Sequence, residues 1–81
     1  MKAWIVRDFN RKVYLHFDKP IKATKYWVSA DAPTLIKASD LPNTIRPKWT
    51  DTEPIEVNLS IVPLNNQPSL KITKTESPTY Q

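Results

Sequence analysis

The chain has 81 residues, a formal net charge of +4, eight prolines and one histidine, and it contains no glycine and no cysteine. Without glycine we exclude P-loops, dinucleotide-binding fingerprints and nucleophile elbows, because each needs backbone conformations or close approaches that glycine allows. Without cysteine we exclude disulfides, thiolate zinc sites and iron–sulfur clusters. We therefore expect one small domain without metal or cofactor, whose core depends on three tryptophans, three tyrosines and two phenylalanines.

The first eight residues indicate where the protein is expected to be located. Charged side chains interrupt residues 1–8 after a run of four apolar or small positions, so we expect neither a signal peptide nor a membrane span. We expect a cytoplasmic protein on this basis, located in the host cytosol if a phage encodes it.

Charge is unevenly distributed along the chain. Residues 1–25 contain seven lysines and arginines against two aspartates, whereas residues 26–64 contain three basic and five acidic side chains. The modest total charge therefore conceals a basic N-terminal third.

Alternation of apolar and polar residues predicts an N-terminal hairpin from residues 4–7 and 13–17. A loop at residues 10–11 or 9–12 places Val6 opposite Leu15 and Trp4 opposite Phe17. One face then carries Trp4, Val6, Val13, Leu15 and Phe17. A loop one residue longer or shorter pairs Ile5 with Leu15 and turns Trp4 outward; we favour the first register because it buries more aromatic area.

Further strands are predicted at residues 25–29, 34–37 and 55–61, separated by a long, proline-rich ordered loop at residues 39–54 in which Asp40 could cap one helical turn. Residues 1–64 form the predicted domain. Residues 65–81 form a C-terminal tail, fraying at 77–81, with an added edge strand at 69–74 as an alternative. The predicted fold is mainly β: a single antiparallel sheet or small barrel of four to six strands. In the absence of glycine, tight turns are expected to use Asn10, Asn43, Asn65 and Asn66.

Aromatic and basic residues of the first strands are the candidate binding residues. In the favoured register Tyr14 and Arg7 lie opposite each other on the outer face, either as a stacking platform or as a simple cation–π pair. His16 is predicted beside Ile5 as an ordinary, half-exposed histidine. For Tyr26 and Trp27 the pattern leaves open which ring faces the core. Trp49 is predicted to attach the proline-rich loop to the core. The candidate partner-binding residues are Arg7, Tyr14, His16, Lys25, Tyr26 and Trp27.

Two sets of charged residues each have an interpretation that requires no ligand. Asp51, Glu53 and Glu56 lack the spacing of a calcium loop, so we interpret them as solvated charges. The basic N-terminal third could contact nucleic-acid phosphates, but lysines at strand edges and loops also prevent aggregation between sheets.

The order of features over residues 1–62 resembles short uncharacterised proteins encoded by bacteriophages and bacterial mobile elements. The resemblance rests on Trp4-Ile5-Val6-Arg7-Asp8, Val13-Tyr14-Leu15-His16-Phe17, Lys19-Pro20-Ile21, Trp27, Trp49 and Glu53-Pro54-Ile55-Glu56-Val57. This chain has Phe9-Asn10 where those proteins usually have an Asp-Gly turn. The resemblance implies no catalytic residues and no known activity.

Three functional hypotheses follow. The first is a small, non-catalytic protein-binding module, a phage accessory protein that inhibits a host protein such as a nuclease of an anti-phage defence system. The second is a small β-barrel that binds nucleic acid through its basic N-terminal strands. The third, an enzyme, has the least support from the sequence. A homodimer formed through an exposed edge strand is an open alternative for the assembly.

Overall fold

A computed structural model describes residues 1–64 and 67–74 of the chain. It contains seven strands: β1 (Lys2–Arg7), β2 (Val13–His16), β3 (Ile21–Lys22), β4 (Trp27–Val28), β5 (Thr34–Ile36), β6 (Ile55–Leu64) and β7 (Gln67–Lys74). Within these residues a 3₁₀ turn at Ala38–Asp40 is the one helical element, and no helix is long and apolar enough to cross a membrane. The predicted mainly β class is confirmed. The predicted tail residues 75–81 and turn residues Asn65 and Asn66 lie outside the described residues.

Five strands form one antiparallel sheet in the order β5-β2-β1-β6-β7. The order places β1 at the centre of the sheet and leaves β5 and β7 as its edges. In the described residues the sheet is therefore open and does not close into a barrel. The remaining strands, β3 and β4, form a separate two-stranded ribbon.

The N-terminal hairpin is confirmed, but the register that we favoured is wrong. Ile5 pairs with Leu15 and Trp4 pairs with His16. The Asp8 N–H donates to Lys12 O and the Arg11 N–H donates to Asp8 O, which leaves a three-residue loop at 9–11. Such loops need a left-handed residue after the turn. Arg11 adopts this conformation, with a φ of 72°. The sequence had instead suggested Asn10 as the residue that makes the tight turn possible.

The shifted register exchanges the faces of the hairpin. Val13 and Leu15 now share a face with Ala3 and Ile5, while Trp4, Val6, Tyr14 and His16 occupy the other. Phe17 was predicted to lie in the core but is 41% exposed. We call the first face the core face; the buried cluster on it consists of Ala3, Ile5, Val13, Leu15, Ile45, Val57 and Leu59.

The proline-rich loop covers the core face. Ile45 belongs to the buried cluster, and Leu41 packs against it. Arg7 fixes the same loop from the sheet, because its Nε donates to Pro47 O at 3.0 Å. Asp40 was expected to cap a helical turn; it lies in the last position of the 3₁₀ turn, whose start has no side-chain cap. The loop is therefore ordered by two buried residues, Ile45 and Pro47, and a few hydrogen bonds.

The β6–β7 hairpin confirms an edge strand over residues 69–74 and extends beyond the rest of the sheet. The Leu59 N–H donates to Met1 O at 2.7 Å, and past Leu59 the β6 backbone pairs with β7 alone among the described residues. Since backbone groups alternate in direction along a strand, the backbone N of Pro63 and of Pro68 points away from the shared ladder. These prolines pair with each other, so neither one removes a hydrogen bond from the hairpin.

Candidate functional site

A groove of about 480 Å³ lies on the face of the sheet opposite the core face. Its aromatic walls come from Tyr14 on β2, Tyr26 just before β4, and Trp27 on β4. The connection from β4 to β5 completes the groove, which is lined by Asp8, Tyr14, Tyr26, Trp27, Val28, Ser29, Ala30, Asp31, Ala32 and Pro33. We call it the aromatic groove.

Hydrogen bonds to the N-terminal hairpin hold the far wall of this groove in place. Phe9 N–H donates to Lys25 O at 3.0 Å, and Trp27 N–H donates to the Asp8 carboxylate at 3.0 Å. His16 Nδ1 lies 2.8 Å from Ser29 Oγ. Since Asp8 and His16 are both almost completely buried, the Trp27–Asp8 bond is shielded from water and the His16–Ser29 contact is partly shielded, and together they hold the segment against the hairpin.

The structure decides which aromatic residue before β5 is exposed. Trp27 is 4% exposed, whereas Tyr26 is 53% exposed. The indole therefore forms a buried wall of the aromatic groove, and the phenol is available at its rim. Tyrosine and tryptophan in this arrangement are the residue types most enriched in the centres of protein–protein interfaces.

Behind Trp27, the ammonium of Lys22 lies between two indole rings. Its Nζ is 4.4 Å from the Trp49 ring centroid and 5.7 Å from that of Trp27. The same Nζ donates to the backbone oxygens of Trp49 and Asp51. Trp49 also packs edge-to-face on Phe9, with centroids 5.9 Å apart. Trp49 thus attaches the proline-rich loop as predicted, but to Lys22 and Phe9 on the groove side.

The His16–Ser29 pair has the residue types of a catalytic dyad but not the required proton arrangement. Ser29 Oγ donates its single proton to Asp31 O at 3.0 Å, so His16 Nδ1 must be the donor in the contact with Ser29. A histidine that donates to a hydroxyl does not activate it as a nucleophile. Burial lowers the pKa of His16 below its usual 6.5, although the charge of Asp8 opposes this shift. The pair positions the groove wall.

The structure places His16 and Arg7 differently from the prediction. His16 was predicted to be half-exposed beside Ile5; it is 1% exposed and pairs with Trp4, because the register differs. Arg7 was predicted opposite Tyr14, but it pairs with Val13 on the core face, where its guanidinium donates to Pro47 O and Arg11 O.

Lys25 has an exposed side chain outside the groove lining. Of the six candidate partner-binding residues, Tyr14, Tyr26 and Trp27 line the groove directly, and His16 supports it through Ser29.

Sequence reasoning missed the acidic and small residues of the connection between β4 and β5. Ser29, Asp31 and Pro33 line the groove, yet the connection has no periodicity that would mark it as a wall. A usable signal was present: small residues and a proline directly after an aromatic strand are typical of a turn that lies against that strand.

The carboxylates considered for a cation site do not converge. Asp51 accepts the Lys48 N–H, Glu53 lies 4.0 Å from Lys19, and Glu56 lies 3.9 Å from Lys2. In the part of the chain that the structure describes, no group of three His, Asp or Glu side chains is arranged to hold a metal ion.

Basic side chains converge at the β5 edge of the sheet. Among the described residues, Arg11, Lys12 and Lys37 line a cleft of about 330 Å³ together with apolar residues of β2 and β5 and no carboxylate. We call this the basic cleft.

No protein family, curated protein or solved structure matches the chain. The groove and the basic cleft are therefore the features from which a function can be inferred.

Proposed function

We propose that this protein is a small, non-catalytic protein-binding module and that the aromatic groove is its binding surface. The observation that carries the proposal is the groove itself: an exposed tyrosine, Tyr26, beside the buried Trp27, on a wall fixed by buried hydrogen bonds. Rigid aromatic side chains lose little conformational entropy on binding and supply large contact areas. A rigid aromatic groove is therefore suited to a partner segment.

Charge favours a protein over a nucleic acid in this groove. Asp8 and Asp31 line it, and no lysine or arginine of the described part of the chain does so. Phosphates placed there would approach carboxylates, which is unfavourable. The resemblance to phage proteins extends the proposal to a host protein as the partner, such as a nuclease of an anti-phage defence system, whose activity the module would inhibit in the host cytosol.

The test is an affinity capture from bacterial host lysate, performed with and without nuclease treatment. We expect one stoichiometric protein that the wild-type chain retains and that Tyr26→Ala loses at least tenfold. Ile21→Ala is the matched control, because Ile21 is 73% exposed but lies outside the groove. Circular dichroism verifies that both variants fold. Equal capture by the two variants, or capture that depends on nucleic acid, would contradict the proposal.

Nucleic-acid binding at the basic cleft is the second candidate function. Arg11, Lys12 and Lys37 converge there, and no carboxylate among residues 1–64 and 67–74 lines the cleft. Three cations that each neutralise a phosphate give a slope of about −2 to −3 for log K against log salt concentration. Fluorescence anisotropy with single- and double-stranded oligonucleotides measures this slope. Lys12→Ala is expected to reduce it by about one, and Lys71→Ala, outside the cleft, to leave it unchanged. Absent binding at low salt would remove this candidate.

A further inference from the structure

The outer side of β5 is unpaired among the described residues. This strand lies at one edge of the five-stranded sheet, and its inner side pairs with β2. The edge of a sheet presents backbone N–H and C=O groups that an extended segment of another chain can use to add a strand. The hydrogen bonds of the N-terminal hairpin determine which backbone groups of β5 are available.

The backbone of Leu35 is directed away from the sheet. The Asp8 N–H donates to Lys12 O, so the even-numbered residues of β2 direct their N–H and C=O toward β1. The odd-numbered residues direct theirs toward β5, where Val13 faces Ile36. Leu35 lies between these ladder positions, and its N–H and C=O therefore point outward, where an added strand can pair with them.

The basic cleft lies along this edge. Val13 and Ile36 line it from the core face, whereas Leu35 lines it from the opposite face, because neighbouring residues of a strand point to opposite faces. A cleft lined from both faces of the sheet opens at the edge between them. Leu35 is 57% exposed, so a large apolar side chain accompanies the outward-facing backbone groups. An added strand would cover both at once.

Three cations select the charge of such a strand. Arg11, Lys12 and Lys37 line the cleft, and neither of the ion pairs found among residues 1–64 and 67–74 involves them. Their charge is uncompensated within this part of the chain and favours acidic side chains in an occupant. A second copy of the chain with its own cleft on this one would bring like charges together. An acidic segment of a partner protein is the better-matched occupant.

The uncharged residues of the cleft favour a protein strand over a nucleic acid. They are Val13, Leu35, Ile36 and Ala38, and no aromatic ring of the described residues lines the cleft. Bases of single-stranded nucleic acids bind by stacking on aromatic rings, which this lining does not provide. Aliphatic side chains beside unpaired backbone groups are instead the contacts that an added strand makes.

We propose that the β5 edge is a second docking surface, which takes an extended acidic segment of a partner protein as an added strand. The backbone of the segment pairs with Leu35, and its aspartate or glutamate side chains lie among Arg11, Lys12 and Lys37. This inference goes beyond the proposed function, because the cleft and the aromatic groove have no lining residue in common.

The experiment uses three synthetic peptides with the same alternating valine and threonine backbone, in which the variable positions are glutamate, glutamine or lysine. Binding to the full chain is measured by NMR titration, following the amides of residues 11–13 and 34–38. We expect the glutamate peptide to bind most tightly and to slow the hydrogen exchange of the Leu35 amide. Since exposed charge pairs are weak individually, Lys12→Gln/Lys37→Gln should weaken its binding about threefold to tenfold.

Lys25→Gln/Lys71→Gln is the matched control, because it removes the same charge from two exposed lysines outside the cleft. It should leave the affinity for the glutamate peptide unchanged. Three outcomes would each overturn the inference: equal affinity for the three peptides, equal effects of the two double variants, or unchanged exchange of the Leu35 amide in the complex.

The other occupants of the edge give different results. An oligonucleotide that binds these residues more tightly than the glutamate peptide, without slowing exchange at Leu35, would assign the cleft to phosphates and overturn the inference. Exchange at Leu35 that slows with the concentration of the free protein would assign the edge to a second copy, with the same consequence. Tyr26→Ala should leave the affinity for the glutamate peptide unchanged, so a failure at the β5 edge and a failure at the aromatic groove are distinguishable.

Discussion

Replacing Lys22 by methionine tests whether the ammonium between the two indoles holds the proline-rich loop on the groove side. Lys22→Met keeps an unbranched apolar stem of similar size but removes the charge. The variant leaves the carbonyls of Trp49 and Asp51 without their shared donor. It also removes the cation from the face of Trp49, 4.4 Å away.

The expected loss of stability can be worked from these contacts. A hydrogen bond from a charged group contributes about 1.5–3 kcal/mol when it is buried, and a cation–π contact about 0.5–1 kcal/mol. Because Lys22 is partly exposed, water replaces part of what is lost, and we expect a net decrease of about 2 kcal/mol in the free energy of unfolding. For a domain of this size, that corresponds to about 8–16 °C in Tm.

Urea titrations followed in parallel by tryptophan fluorescence and far-ultraviolet circular dichroism measure this decrease. Lys19→Met is the matched control: Lys19 is exposed, and its Nζ lies 4.0 Å from Glu53, so its loss should change stability by less than about 0.5 kcal/mol. Equal midpoints and slopes for Lys22→Met and Lys19→Met would show that the Lys22 ammonium does not hold the loop.

Three other measurements test the core, the hairpin turn and the buried histidine. Ile45→Ala should lower the free energy of unfolding by about 2–5 kcal/mol in urea titrations, whereas Ile21→Ala should change it little; equal effects would show that the loop does not complete the core. Arg11→Gly should raise Tm, gaining about 0.5–1 kcal/mol, because the φ of 72° is strained for arginine; a lower Tm would contradict this. His16 binds a proton less readily when folded than when unfolded, so stability should fall as pH decreases below 6.5, and His16→Gln should flatten that decline. The pKa of Asp18 is raised in the folded protein, so the contribution of Asp18 changes in the opposite direction: it becomes more favourable to stability as pH falls toward 3.8.

The longer strands could be predicted because alternation marks half-buried strands locally, whereas the two-residue strand β3 (Ile21–Lys22) has no alternation and was not predicted. The pattern from Ile55 onward identified β6, and Val13 and Leu15 identified β2. The register of the first hairpin could not be predicted, since a three-residue loop is normally recognised in a sequence by a glycine after the turn. Here Arg11 takes that conformation, and nothing in its side chain signals it.

The aromatic residues of the site were found from the sequence, whereas their arrangement was not. Tyr14, Tyr26 and Trp27 stood out as large rings in short strands. Which ring faces outward depends on the contact between the Trp27 N–H and Asp8, 19 residues away in the sequence, which local periodicity does not encode.

The central position of β1 has a consequence for how the protein folds. Its neighbour β2 follows within a few residues, but its other neighbour, β6, is paired through Met1 and Leu59, 58 positions apart. Pairings between such distant segments require a large loop to close and slow the folding of β proteins. The β1–β2 hairpin can therefore form from neighbouring residues, whereas the docking of β6 on β1 has to close a loop of about fifty residues and is expected to be the slower of the two pairings.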